Sequence, residues 1–516
     1  MSEKVEKVEK QEKLNYKRTF LIGFGFMGCM LLWSVYNSYV PVILRGKLSQ
    51  LGIAELSSSH AWLAWLSVPL IVNAIMTIDN VFGVIFQPHF GKRSDRTHTK
   101  LGKRMPYILI CLPICAAFFT IIPVAATVRA AGLSILLMMA VIICFNFLMS
   151  VWRSPVVSLM PDFTPSELQS DANAVINIMG GIGQMVGFVV GTIASTACGL
   201  IGFKVLSENL KASTNELGEV LDANGQVVLN AAGEPTYVNY TPVFLVAAII
   251  AVLCLVVLYF FYKKNKQYDL SANVGFEETE NKEEKKEKIK IKNLPLTKAE
   301  KRSLFIMLGS LFLINNATEA IVPNFTNFAN DTLKVSPIYS TLMMAVFAVS
   351  LAVFGIPAGK MGRKLGRKKT IMIGLGAIVA MFAVYLTISQ VLPANADGSV
   401  NKFTWIALWV ALVVGGAAVG CININTLPLV LAIGGREYVG TFTGYYYTAT
   451  MSASVTGPIL CGLVIGLFHE DYNFMFFFCA IFFALGLIAI NGVRHGEVAK
   501  GEDTAWIDEA VQNADD

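Results

Sequence analysis

Two carboxylate side chains lie in the middle of stretches that are otherwise almost wholly apolar. Asp79 ends the run 75–79 and Glu319 ends the run 315–319. An ionised carboxylate inside hydrocarbon costs a few kcal/mol unless it faces water, a partner or a ligand. Such a group binds and releases a proton or a cation, so we predict that Asp79 or Glu319 holds a coupling ion. The alternatives are a structural pair between helices for Asp79 and outer water for Glu319.

Aromatic and amide side chains in the same kind of stretch have the chemistry that holds a sugar. Trp33 and Asn37 are four residues apart, with Tyr36 beside them. An indole face stacks on sugar C–H groups while an amide bonds hydroxyls. A membrane tryptophan also faces lipid or anchors at the interface in many proteins, and that alternative stays open. Further candidate sugar contacts are Asn73, Asn146, Trp152, Arg153, Asn315, Asn316, Asn423 and Asn425.

Arg153 is the one cation among these candidates. It lies two turns before the end of its apolar stretch at Pro161-Asp162. There it can clamp a sugar hydroxyl or neutralise Asp79 or Glu319. The alternative is that its long side chain extends to the membrane surface.

A short basic turn with glycines occurs twice, some 270 residues apart. The residues of these two hinges that we expect to form a cytoplasmic gate are Gly91, Asp95, Arg96, Gly102 and Arg104, and then Gly359, Arg363, Gly366 and Arg367. Their acidic and basic groups can pair across helix ends and hold that side shut. The simpler interpretation is that the basic residues only set the topology. Repetition of the hinge predicts two related halves, which in membranes is typical of secondary transporters.

The composition excludes most soluble classes of protein. Of 516 residues, 54% are apolar and only 15% are charged, with a mean hydropathy of +0.57, whereas soluble proteins carry about 25% charged residues. The nine cysteines form no C-x-x-C pair, and no Gly-x4-Gly-Lys-Ser/Thr phosphate loop is present. We therefore expect no enzyme, no metal, no cofactor beyond co-transported H⁺ or Na⁺, and no nucleic-acid partner.

Twelve stretches reach the roughly 20 apolar residues that a membrane span needs. They lie at about 20–44, 62–90, 106–128, 133–160, 173–200, 241–262, 303–326, 337–359, 370–391, 404–431, 441–466 and 472–493. The predicted division is a cytoplasmic tail (1–19), a six-helix bundle (20–262, with an extracellular loop at 201–240), a charged cytoplasmic linker (263–302), a second bundle (303–493) and a cytoplasmic tail (494–516). Within 201–240, an Asn-Gly pair between apolar residues predicts a small hairpin cap.

The distribution of Lys and Arg predicts the orientation. The two hinges carry six basic residues each and the linker carries about a dozen, against about seven in all the opposite loops together. By the positive-inside rule, both termini, the hinges and the linker face the cytoplasm. We expect a multi-pass protein of the cell (plasma or inner) membrane.

Several longer motifs resemble one family of transporters. The hinges resemble the loop signature of the major facilitator superfamily. The first hinge region resembles the sucrose:proton symporters, which are similar to the glycoside–pentoside–hexuronide:cation symporters. Motifs elsewhere in the chain resemble the bacterial branch of this group. The matching residues are Gln87-Pro88, Gly91, Ser94-Asp95-Arg96-Thr97, Gly102-Lys103-Arg104, Pro106-Tyr107, Ser154-Pro155, Leu159-Met160-Pro161-Asp162, Asp171-Ala172-Asn173-Ala174, Asn423-Ile424-Asn425-Thr426-Leu427-Pro428 and Gly444-Tyr445-Tyr446-Tyr447.

The resemblance implies uptake of a di- or oligosaccharide driven by an ion gradient, with one departure. Plant sucrose carriers have a protonatable aspartate where this chain has Asn146, and the paired aspartates of melibiose-type carriers fall near Gly83 and Gln87. Since none of these three residues titrates, the coupling role falls to Asp79 or Glu319, or the carrier is uncoupled.

These observations together predict an all-α polytopic membrane protein: 12 transmembrane helices in two pseudo-symmetric six-helix bundles, the major facilitator fold. The predicted function is sucrose- or maltose-like sugar uptake by cation symport through alternating access, with the lipid bilayer and the sugar as partners and a monomer as the default. The alternatives are an exporter of drugs or metabolites with the same fold and a non-transporting membrane sensor. The sequence leaves open the sugar, the choice between H⁺ and Na⁺, and the choice between Asp79 and Glu319.

Overall fold

A computed structural model describes most of the apolar part of the chain. The described residues are 14–53, 66–97, 99–164, 169–222, 225–230, 232–269, 296–392, 400–434 and 439–496. Most of the predicted N-terminal tail, linker and C-terminal tail lies outside these ranges, as does Asn224 of the predicted hairpin turn.

The described chain folds into fourteen α-helices. They are α1 (Tyr16–Gln50), α2 (Val68–Met76), α3 (Ile78–Asp95), α4 (Met105–Ala126), α5 (Ala131–Phe163), α6 (Gln169–Leu200), α7 (Lys204–Lys211), α8 (Thr241–Asn265), α9 (Lys298–Thr332), α10 (Pro337–Leu365), α11 (Arg367–Val391), α12 (Lys402–Gly434), α13 (Val439–Leu467) and α14 (Phe474–Asn491).

Twelve of the resulting segments are long and apolar enough to cross a membrane, which confirms the predicted number. Helices α2 and α3 together make the second segment, and the short α7 is not one of the twelve. The first helix runs to Gln50, six residues beyond the predicted end of its span, so that Arg45 lies within it.

Each half of the chain has its own buried core. One core gathers apolar residues of α1 to α8, and the other gathers those of α9 to α14. The rings of Phe119, Phe145 and Phe244 pack together at tilted angles in the first core, and those of Phe328, Tyr385 and Phe476 pack edge-to-face or tilted in the second. Two cores of this kind correspond to the two predicted six-helix bundles.

Glycines let α6 approach α1 closely. A Cβ added at Gly183 would lie 2.2 Å from the carbonyl oxygen of Met27, and one at Gly187 would lie 2.8 Å from that of Leu31. Because lipid tails are as apolar as the helices, small residues that permit close backbone packing are a main means of helix association in membranes.

The two ends of the bundle differ in what they carry. The hinge end holds Tyr16, Asn491 and the two predicted hinges, and the far end holds the segment 201–240. Within this segment, a β-bridge pairs Leu221 with Val227 around the predicted turn. We call the described residues of 201–240 the cap, since they lie over the far ends of α1 and α4.

Contacts between the halves lie toward the far end. The amides of Asn73 on α2 and Asn324 on α9 donate to each other at 2.9 Å. A Cβ at Gly462 of α13 would lie 2.6 Å from the carbonyl oxygen of Pro69. Tyr39 of α1 hydrogen-bonds Thr341 of α10 at 3.4 Å. We call this set of contacts the far seal.

Candidate functional site

Asp79 lies just after a break in the second span. Helices α2 and α3 meet at Thr77, and Asp79 is in the first turn of α3. Its Oδ1 accepts a hydrogen bond from the backbone N–H of Asn80 at 2.6 Å. The N–H groups at a helix N-terminus lack intrahelical partners and carry partial positive charge, so the break stabilises negative charge at this depth.

Asp79 lies within electrostatic range of two charged groups from other helices. These are Glu319 of α9, in the other half, and Arg153 of α5. Glu319 is accessible to solvent although it lies deep among the helices, as expected for a group that faces an internal aqueous space. The structure thus brings together the three charges on which the coupling prediction depends, while their role in transport stays a prediction.

An aromatic ring lies next to this charged group. The Arg153 guanidinium lies 6.0 Å from the ring of Trp33 on α1, and both side chains are half-buried. Asn37 and Asn315 are half-buried as well. The Asn315 amide donates to its own helix, at the carbonyl of Leu311, at 2.9 Å, so its carbonyl oxygen is left for another donor. That these side chains bind one ligand stays a prediction.

Asn80 also belongs to this region, although the sequence analysis did not single it out. Its Nδ2 donates to the carbonyl of Ser454 on α13 at 3.2 Å, which joins the two halves beside Asp79. Its position next to Asp79 was the available signal.

Three predicted sugar contacts lie instead in the core of the first half. Tyr36, Asn146 and Trp152 are at most 1% exposed, and the Asn146 amide donates to the Tyr36 hydroxyl at 3.3 Å. In this conformation a sugar cannot reach them, because neighbouring helices fill the space around them. The helical spacing of residues along α5 did not show which of Arg153 and Trp152 faces the core of the first half.

Four other predicted asparagines divide in the same way. Asn73 is buried in the far seal, as described above. Asn316 is buried and its Oδ1 accepts from the Thr456 hydroxyl at 2.9 Å. Asn425 is buried and donates to the carbonyl of Ala358 at 3.3 Å, which ties α12 to α10. Asn423 alone is exposed. Asn73, Asn316 and Asn425 therefore bridge helices in this conformation.

Arg104 organises the first hinge. Its guanidinium binds Asp95 at the end of α3 at 2.5 Å and Asp162 near the end of α5 at 2.9 Å, and it donates to the Ser94 hydroxyl at 2.5 Å. Burial would lower the pKa of Arg104, but the two carboxylates hold it above its ordinary value. Asp95 thus pairs across helix ends as expected, and this partner belongs to its own half.

The remaining hinge residues are glycines in turns or close contacts and arginines that are exposed or half-buried. Gly102 has φ +81°, and an added Cβ would collide with the Tyr262 hydroxyl. Gly366 has φ +97° between α10 and α11, so both hinges place a glycine in the left-handed region that favours it. An added Cβ at Gly91 would lie 2.7 Å from Ser154 Oγ, whereas one at Gly359 would have only an ordinary contact. Arg96 and Arg363 are exposed and Arg367 is half-buried.

A second charged cluster, which the sequence analysis missed, lies at the far end. Arg45 of α1 is 3% exposed, and its NH2 lies 3.3 Å from Asp331 of α9 and 4.0 Å from Glu216 of the cap. Its guanidinium lies 4.8 Å from the ring of Tyr472. Glu470, between α13 and α14, accepts from the backbone N–H of Val68 at 3.2 Å and is within electrostatic range of Arg45.

Two patterns in the sequence were available signals for this end. Arg45 is the first residue after the predicted end of the first apolar stretch. Asn324, Asn327 and Asn330 recur at spacing three along α9, as a polar stripe on one helical face does. The first is bonded to Asn73, and the last binds Thr214 of the cap through three hydrogen bonds of 3.0 to 3.2 Å.

Among the described residues, no group of three or more His, Cys, Asp or Glu side chains could hold a metal ion. The central carboxylates belong to different halves, and Arg153 lies within electrostatic range of one of them, Asp79.

Comparison with known proteins identifies the fold and a family. A family model described as "MFS/sugar transport protein" matches residues 21–473. No curated protein sequence matches this chain significantly.

Solved transporter structures share the fold at low identity. The peptide transporter POT in complex with alafosfalin is 14% identical, with a TM-score of 0.60, over 94% of this chain and 96% of that one. A bacterial homologue of the iron transporter ferroportin in an inward-facing state is 11% identical, with a TM-score of 0.58, over 93% and 100%. A mutant of the nucleoside transporter NupG is 14% identical, with a TM-score of 0.55, over 92% and 99%.

Proposed function

Because the chain belongs to the MFS/sugar transport protein family, and is therefore a secondary transporter and not an enzyme, we propose that it takes up a di- or oligosaccharide by symport with protons. One observation carries the proposal: Asp79 lies within electrostatic range of Glu319 from the other half and of Arg153, and the Arg153 guanidinium lies beside the ring of Trp33. The indole and amides suit a sugar, and the carboxylates suit a proton.

The proton and the sugar are coupled through the cost of enclosing charge. With both carboxylates ionised, the region holds two negative charges and the single positive charge of Arg153, and closing a dry cavity around the excess charge is unfavourable. A proton on Asp79 or Glu319 removes the excess negative charge, so the loaded cavity closes at lower cost. Binding of the proton therefore favours the closed, sugar-bound state.

The hinge end is the cytoplasmic side in this proposal, following the distribution of basic residues. The far seal then closes the outside, and the conformation described here releases its load to the cytoplasm. The halves rock to open the far end, with the glycine hinges as pivots. The cytoplasmic gate forms in the opposite state, when hinge residues of the two halves approach each other.

Uptake by the full-length protein in proteoliposomes tests the proposal. Labelled sucrose and maltose are offered with an imposed pH gradient or an imposed Na⁺ gradient. We expect accumulation with the pH gradient. Asp79→Asn and Glu319→Gln are then scored for accumulation and for exchange of labelled against unlabelled sugar, and loss of accumulation with retained exchange identifies the coupling residue.

Glu300→Gln is a matched control, because Glu300 lies on the same helix as Glu319 but caps its N-terminus in contact with Thr297. It should accumulate sugar like the wild type. If both central variants still accumulate sugar against a gradient, the ion is bound elsewhere and the proposed coupling is wrong.

A further inference from the structure

The far end holds a second group of ionisable side chains that the proposed transport cycle does not use. One buried cation, Arg45, faces three carboxylates that come from three different parts of the chain: Asp331, Glu216 and Glu470. The cluster joins α1 and the cap in the first half to α9 and the α13–α14 connection in the second. It therefore exists in this form only while the far seal is closed.

The hydrogen bonding of Arg45 is incomplete. Its Nε and NH2 are buried and have no hydrogen-bond partner, since the carboxylates lie at ion-pair distance and not in bonding geometry. The hydroxyl of Tyr472, whose ring faces the guanidinium, is also buried without a partner. Arg45 is therefore not fully hydrogen-bonded by its carboxylate neighbours. Its single positive charge also leaves part of their negative charge unneutralised.

Glu470 is held in place by two further features. It accepts from the Val68 N–H at the start of α2, where the helix N-terminus favours a carboxylate. His469 and Glu470 have φ of +59° and +61°, a left-handed conformation that is strained for a residue other than glycine. Such strain persists only where surrounding contacts stabilise it, and here those contacts cross the interface.

We propose that a proton-binding latch at the far end holds the far seal closed, and that Glu470 takes up a proton as the seal closes. The latch consists of Arg45, Glu216, Asp331, Glu470 and Tyr472. Its site is separate from Asp79 and Glu319, and its ligand is a proton from the far side of the membrane.

The charges facing Glu470 support this assignment. Burial raises the pKa of Glu470, the Val68 N–H and Arg45 oppose that rise, and Glu216 and Asp331 add to it, leaving the pKa above its ordinary value. When the far end opens, the half-buried Glu470 becomes fully exposed to water, and its pKa returns toward that of a free glutamate. Closing therefore binds a proton, and the closed seal is favoured as the pH falls.

The linkage sets the size of the effect. The ratio of closed to open protein should fall by up to about tenfold for each unit by which the pH rises, over the range between the ordinary pKa of glutamate and its raised pKa in the closed state. Above the raised value the ratio should level off, because Glu470 is then ionised in both states.

A distance measurement across the far end tests the latch without any sugar. Spin labels are placed at Thr127→Cys and Val391→Cys, at the exposed far ends of α4 and α11, in a full-length chain whose nine native cysteines are replaced. Electron-electron distances are recorded in proteoliposomes from about pH 5 to about pH 9, a range that spans the titration of a raised carboxyl pKa. We expect longer distances to gain population as the pH rises.

Variants separate the latch from other titrating groups. Glu470→Gln should abolish the pH dependence and retain the short distance, because the amide is neutral at every pH. Asp331→Asn should move the transition to lower pH, because it removes a negative neighbour of Glu470. The matched control Glu234→Gln, a carboxylate of the cap paired with Arg129, should leave the transition unchanged.

The double variant Asp79→Asn/Glu319→Gln should retain the far-end transition. The proposal is overturned if that variant abolishes it, if Glu470→Gln titrates like the parent protein, or if the parent shows no pH-dependent distance. None of these outcomes depends on sugar coupling, so the latch and the proposed symport can fail separately.

Discussion

A single arginine fastens the first hinge to its own half. Arg104 is buried and contacts two carboxylates and a hydroxyl on α3 and α5, as described above. Removal of one partner from a buried ion pair leaves the others uncompensated and costs about 3–5 kcal/mol. We expect Arg104→Ala to lower the stability of the detergent-solubilised protein by an amount of that order.

Thermal or denaturant unfolding monitored by tryptophan fluorescence measures this change. Arg96→Ala is the matched control, because Arg96 lies in the same hinge but is exposed. Substitutions at such surface sites stay within about 0.5 kcal/mol. Equal losses in the two variants would contradict a specific role for Arg104.

At the scale of single residues, the sequence predicted the position of a residue along its span but not the residues that it contacts. Counting residues along a span placed Asp79 near the middle and Glu319 about sixteen residues from the inner end, because helix rise per residue is fixed. Arg45 and Asp331 are 286 positions apart along the chain, and the sequence alone does not indicate that they meet. The same limitation placed Trp152 beside a sugar, although it packs in the core of the first half.

Helix α13 closes the far seal through its glycines. A Cβ at Gly462 would lie 2.6 Å from the Pro69 carbonyl oxygen and 3.0 Å from Leu70 Cα, and both are backbone atoms that cannot turn aside. Overpacking of this kind costs about 1–3 kcal/mol. Gly462→Ala should therefore shift the closed-to-open ratio of the far seal toward open by about fivefold to about 150-fold.

The spin-label pair described for the latch reads out this shift, at constant pH. Gly444→Ala on the same helix is the control, because no atom lies within 4 Å of its added Cβ. It should leave the distance distribution as in the parent. A closed distribution in Gly462→Ala would mean that α2 yields and that the seal does not depend on close backbone approach.

Element boundaries were predictable where composition changes and not where it is uniform. Hydropathy located all twelve spans, yet it did not reveal the break at Thr77. The run around Thr77 contains neither proline nor glycine within three residues, so the local signals for a helix break are lacking there. We attribute the break instead to packing against α13 and to the need of the Asp79 carboxylate for hydrogen bonds.

The positive-inside rule predicts the orientation of the whole molecule from where its basic residues lie. If the hinge end faces the cytoplasm, a membrane-impermeant maleimide added to intact cells should label Thr127→Cys at the far end. It should leave Arg96→Cys at the hinge end unlabelled until the membrane is permeabilised. All nine native cysteines lie in the described chain and none of them is exposed, so background labelling should be low. The reverse pattern would invert the proposed topology.

For the molecule as a whole, the sequence predicted the architecture but not the conformation. Two halves and twelve spans follow from periodic apolar stretches and a repeated hinge. Which end is closed depends on a small free-energy difference between two packings of the same helices. That difference arises from scattered contacts such as Asn73 with Asn324, which no local pattern reveals.

The cap is bonded to both halves at once. Gln50 of α1 donates to the carbonyl of Leu217 at 2.7 Å, and Asn330 of α9 bonds both the backbone and the hydroxyl of Thr214. Each turnover must undo one of these attachments. A compound or antibody that held the cap against α9 from the far side of the membrane would therefore arrest the carrier, and no excess of sugar would relieve the block.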